Sequence, residues 1–129
     1  MTSTRLLAPG AEPYLFPGGK QACLIVHGFN SSTRENREMG RWLADQGFTA
    51  LGIRLPGHAT TPADMRRVRW TDWLAAVEDG FSLLKDSSEK VFIMGQSLGG
   101  VLTAYGRLLR DRNFMGYTLA SGLPSAGMF

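Results

Sequence analysis

The sequence predicts an α/β fold in which a mostly parallel sheet is joined by crossover helices. Three observations predict it. Short apolar runs alternate with amphipathic segments of helix length along the chain. The run ACLIV at residues 22–26 has no polar alternation, as expected of a strand covered on both faces. Two turn sequences, HGF after one strand and GQSLGG after another, fall at the carboxyl ends of strands, where open α/β sheets gather their functional groups.

Each element has its own signal. Residues 1–12 read as an irregular lead-in. PYLF and KQACLIV read as two strands around a Pro-Gly turn. In RENREMGRWLADQ, Met39, Trp42 and Leu43 share one helical face, and Gly47 is placed to end the helix. FTALGI is the next strand and RLPGHATTPAD the loop after it. A second helix is expected from Thr71 or Asp72, both suitable caps, with the stripe Leu74, Val77, Phe81 and Leu84. KVFIM is a strand. GQSLGG leads into a third helix with Leu98, Val101, Leu102, Tyr105, Leu108 and Leu109 apolar, and FMGYTLA is the last strand. There is no repeat, low-complexity segment or linker, so residues 1–129 are expected to form a single domain.

Composition narrows the function. The chain is 43% hydrophobic and 19% charged, as in an ordinary globular protein. Its net charge of +3 comes mostly from arginines scattered from Arg5 to Arg112, which reads as solvated surface and not as a nucleic-acid footprint. The densest stretch, RRVRW at 66–70, is expected to be a solvated loop or helix start. The single cysteine, Cys23, excludes an intrachain disulfide and fits a small core residue. The amino-terminal residues lack a continuous apolar segment, and no run approaches the roughly 20 apolar residues of a membrane span. A cytoplasmic protein without an integral membrane segment is expected. The two histidines and the acids show no metal-ligand spacing.

Gly95-Gln96-Ser97-Leu98-Gly99 carries the chemistry. It is G-x-S-x-G between an expected strand and an expected helix. A sharp strand-to-helix turn presents the serine hydroxyl at the positive end of the helix, and side chains at Gly95 and Gly99 would crowd the neighbouring backbone. Gly100 would let the helix pack closely. The Leu98 amide could donate to an oxyanion formed when Ser97 attacks a carbonyl. A tight turn with a merely capping serine is the plainer alternative. A phosphate-cradling loop fits poorly, because no lysine follows the glycines.

With VHGF at 26–29 added, residues 13–125 resemble the amino-terminal half of an α/β-hydrolase, nearest the carboxylesterase and monoacylglycerol lipase group. The resemblance implies a Ser97 nucleophile, oxyanion-hole amides from Phe29 and Leu98, and a supporting loop at His27 and Gly28 in which the histidine shapes the loop and moves no proton. It also implies a small-molecule ester as substrate and no cofactor. RLPGH at 54–58 is similar to the loop after the next strand, usually Gly-His-Gly, with Ala59 where the last glycine would stand. His58 is then a loop-stabilising residue. Dehalogenases and epoxide hydrolases of this fold use an aspartate nucleophile, and hormone-sensitive-lipase-like enzymes carry HGGG; peptidases of the fold remain open.

A serine nucleophile needs a general base. In this fold the order is Ser, acid, His, yet both histidines, His27 and His58, precede Ser97, and the one later acid, Asp111, reads as a surface charge. The expectation is therefore a truncated, partial α/β-hydrolase fold: an amino-terminal fragment of a serine esterase whose acid and histidine lie beyond Phe129, itself a poor catalyst. The alternative is a non-catalytic hydrolase-like protein or small-molecule binding module.

Overall fold

The computed structural model describes residues 6–99, Leu102 and the strand 114–120. Five strands form one sheet: β1 (Tyr14–Phe16), β2 (Gln21–Val26), β3 (Phe48–Ile53), β4 (Lys90–Gln96) and β5 (Phe114–Ala120). Their order is β1-β3-β2-β4-β5, with β1 antiparallel to β3 and every other pair parallel. Helix α1 (Arg37–Asp45) follows a 3-10 turn at Thr33–Glu35, and α2 (Pro62–Arg67) and α3 (Trp70–Lys85) follow β3.

Side chains alternate across a strand, so the central strand β2 feeds two cores. Ala22, Leu24 and Val26 pack with Val77, Phe81 and Leu84 of α3 and with Val91 and Ile93 of β4. Cys23 and Ile25 pack on the other face with Leu43 of α1, Tyr14 and Ala50. The uninterrupted apolar run in β2 has this cause. The α3 stripe is as expected, with Leu74 only partly buried. Burying a side chain such as Phe81 contributes about 1.5–3 kcal/mol. Trp42, expected on the apolar face of α1, is instead 56% exposed.

The first two strands do not form a hairpin. β1 pairs with β3, and the Pro-Gly-Gly link strides over the start of β3 to reach β2 on its far side. A Cβ on Gly18 would collide with the Phe48 carbonyl, and one on Gly19 with that of Gly47. The Thr49 hydroxyl fastens the crossing: it accepts from the Gly18 and Gly19 amides at 3.1 and 3.2 Å and donates to the Gly19 carbonyl at 2.8 Å.

Residues 6–12 are irregular but tied down. The Ala8 amide donates to Ala59 O at 2.8 Å, and the Thr33 hydroxyl donates to Glu12 O at 2.6 Å. Asp72 sits three residues into α3, where its carboxylate accepts from the Arg69 amide at 2.8 Å. The arginines of RRVRW lie in α2 and at the start of α3, exposed. Among the described residues no helix is long and apolar enough to cross a membrane. Gly100, Asp111 and the stripe residues Val101, Tyr105, Leu108 and Leu109 lie outside the described residues.

Candidate active site

Two strand ends meet here. β2 and β4 run side by side with Val26 paired to Gly95, so the segments His27–Phe29 and Gln96–Leu98 leave the sheet at the same edge as neighbours. Two glycines interlock them. A Cβ on Gly28 would lie 3.2 Å from the Gln96 carbonyl oxygen and 3.6 Å from Ser97 Cβ. A Cβ on Gly99 would lie 2.5 Å and 2.8 Å from the carbonyl oxygens of Val26 and His27, closer than any real side chain sits. Gly95 is buried within β4.

Ser97 is exposed and has φ 51°, in the left-handed region. A non-glycine residue there costs about 1–2 kcal/mol, strain of the sort that persists where the surroundings fix it. Leu98 and Gly99 are already helical, so the strain falls on the one residue joining strand to helix. Leu98 packs its side chain against the α3-side core, leaving the elbow firmly backed. Ser97 opens onto a cleft of about 330 Å³ shared with Gly28, Phe29 and Gln96, whose wall Asn30, Ser31 and Glu35 complete.

His27 is fully buried, and both ring nitrogens are engaged. The Leu55 amide donates to Nε2 at 3.0 Å, which leaves the proton on Nδ1, and that N–H donates to the Gly28 carbonyl at 2.8 Å. The Ser31 amide donates to the same carbonyl at 3.2 Å. The Gly28 carbonyl and the Phe29 N–H belong to one peptide unit, and no peptide bond here is cis. Fixing the carbonyl therefore fixes the direction of the N–H. Burial, the largest cause, pushes the His27 pKa down to about 4, with the His58 and Arg54 charges acting in the same direction.

His58 is also fully buried. Its Nδ1–H donates to the Pro56 carbonyl at 3.2 Å, and its Nε2 has no hydrogen-bond partner among the described residues. Burial lowers its pKa as well. Neither histidine is hydrogen-bonded to Ser97. No group of three or more histidine, cysteine or carboxylate side chains among the described residues could hold a metal ion.

The structure thus brings His27, Gly28, Phe29, Gly95, Ser97, Leu98 and Gly99 to one place. Sequence reasoning missed Asn30, Ser31, Glu35 and Gln96 on the cleft wall. Three of them follow HGF closely, and that adjacency was the available signal.

A sheet of this topology, carrying a strained serine between β4 and a helix, is a partial α/β-hydrolase fold. The family model described as "Serine aminopeptidase, S33" matches residues 18–125, and the chain belongs to that family. It is 40% identical over 96 residues to the thermostable monoacylglycerol lipase of Bacillus sp. (strain H-257), covering 74% of this chain and 38% of that protein. It is 36% identical over 93 residues to a carboxylesterase of Bacillus subtilis (strain 168), covering 71% of this chain and 38% of that protein. Among solved structures, one from work on the metagenome-derived lipolytic enzymes LipS and LipT superposes with a TM-score of 0.82 at 32% identity, over 89% of this chain and 47% of that one. The chain therefore spans 38% of the length of the two Bacillus proteins and just under half of the solved structure.

Proposed function

We propose that the chain is the nucleophile-bearing part of a serine hydrolase acting on small carboxylic esters, of carboxylesterase or monoacylglycerol lipase type. Ser97 is the nucleophile, and the amides of Phe29 and Leu98 receive the oxyanion. The observation that carries this reading is Ser97 at φ 51° between β4 and a helix, interlocked with the His27–Phe29 loop through Gly28 and Gly99. Attack of Oγ on the ester carbonyl, with its proton passing to the general base, forms the C–O bond of a tetrahedral intermediate, whose negative oxygen the two amides stabilise. Collapse expels the alcohol, which takes up that proton, and water then releases the acid from the acyl-serine.

His27 supports this chemistry by holding the Gly28–Phe29 peptide and not by moving protons. Its lone pair is already occupied by the Leu55 amide. His58 is buried and bonded to Pro56. Since these are the chain's two histidines, the base and its acid are proposed to come from sequence beyond these 129 residues, and the chain alone to turn over esters poorly. The elbow glycines serve presentation: Gly99 by admitting the carbonyls of Val26 and His27, with Gly95 and Gly100 proposed to act alongside it. A cytoplasmic address belongs to the same proposal. Reaction with a stoichiometric p-nitrophenyl ester followed by peptide mass spectrometry tests it. The adduct is expected on Ser97 and absent from Ser97→Ala; an adduct on another serine would overturn the assignment.

A further inference from the structure

The Phe29 ring is 58% exposed, and the rings that meet it come from two other elements. His58, in the loop after β3, lies edge-on to it at 5.8 Å and 89°; Trp73, in α3, lies at 5.9 Å and 63°. His58 and Trp73 meet each other at 5.5 Å and 67°. The three rings form a triangle of steep contacts, the arrangement in which a ring's positive edge faces a negative face.

Two of the three are fastened to one atom. The Pro56 carbonyl accepts from Trp73 Nε1–H at 2.9 Å and from His58 Nδ1–H at 3.2 Å. The backbone of His58 is held as well: its amide donates to Leu55 O at 3.1 Å, and its carbonyl accepts from Arg54 at 3.0 Å. Trp73 and His58 are therefore fixed points, and Phe29 is the ring they tether. This matters because the Gly28–Phe29 peptide has two ends. His27 and Ser31 hold its carbonyl end. Those bonds set the direction of the N–H, but the peptide can still turn about its C=O axis and carry the nitrogen sideways; the phenyl ring on the Phe29 Cα opposes that turn.

We propose that Trp73, together with His58, is a positioning residue that acts through the Phe29 ring to fix the position of the Phe29 amide beside Ser97. Its effect on reactivity rests on the reading of Phe29 as an oxyanion donor. Weakening one aromatic contact of this kind is expected to slow acylation about 3- to 10-fold.

The test has two arms, both on the full 129-residue chain. The first is the ¹H–¹⁵N signal of the Phe29 amide; the second is acylation of Ser97 by p-nitrophenyl acetate. Trp73→Leu is expected to shift or broaden the Phe29 signal and to lower the maximal acylation rate while leaving the half-saturating ester concentration unchanged. Trp73→Phe keeps a ring edge but loses the Pro56 bond, so it should restore part of both. Trp42→Phe, on α1, should alter neither. An unmoved Phe29 signal in folded Trp73→Leu overturns the proposal; if that variant unfolds, an unmoved signal in Trp73→Phe does so. A shifted signal with unchanged acylation supports the tether and overturns the role of Phe29 as oxyanion donor. A wild-type chain that is never acylated is what the absent base allows, and the amide arm alone then decides the tether.

Discussion

Acidification should destabilise this protein through His27. In the unfolded chain the imidazole takes up its proton near pH 6.5; in the folded protein, burial, joined by the His58 and Arg54 charges, holds the pKa at about 4. The folded state thus binds fewer protons throughout that interval. The stability from His27 is present in full above about pH 6.5 and is lost progressively as pH falls toward 4. The size of the shift sets the loss at about 3 kcal/mol. His58, also lowered, adds in the same direction. With a urea slope of about 1–3 kcal/mol per molar, the unfolding midpoint should fall by roughly 1–3 M across the window. Urea melts followed by circular dichroism across that interval measure it directly. His27→Gln should be less stable at neutral pH, having lost a buried bond, but should show a shallower dependence that reflects His58. A wild-type midpoint that stays level across the window, or an equal slope in His27→Gln, would refute the reasoning.

Three further outcomes follow from the backbone. Ala59→Gly should stabilise the chain by about 0.5–1 kcal/mol in urea melts, because φ is 60° there and relief of strain exceeds the added freedom of the unfolded glycine; a loss of stability would show that the loop does not hold that strain. Ser97→Gly should gain about 1 kcal/mol on the same ground and abolish acylation, so a less stable or still acylated variant counts against the strained elbow. Gly99→Ala should lose about 1–3 kcal/mol as its methyl meets the carbonyls of Val26 and His27, and wild-type stability would refute the interlock.

Most of the elements are legible in the sequence because their periodicity is also their burial. β3 and β5 fall where FTALGI and FMGYTLA place them, and Val77, Phe81 and Leu84 face the core. The partner of β1 was not legible. PYLF and KQACLIV are close in sequence, and nothing local says that β3 will lie between them; that depends on two glycines fitting over the start of β3. α2 was missed because it buries none of its six residues, so apolar spacing is silent, although Thr61 before Pro62 is a cap signal that could have been read. In the site, GQSLG and HGF were visible as strings, but Trp73 was not. Its contacts with Phe29 and His58 cross three separate elements, and no spacing along the chain encodes them.

The pairing of Val26 with Gly95 bears on how the protein comes together. β2 and β4 touch in the sheet, yet β3 and the intervening helices separate them along the chain. The cleft they frame has no local precursor. Neither HGF nor GQSLG gains its neighbour until a long stretch has been closed, and the entropy of that closure is spent before any contact at the cleft forms. Access of a reagent to a properly shaped Ser97 during refolding would therefore time the insertion of β4 beside β2, a long-range event, and not the appearance of helix.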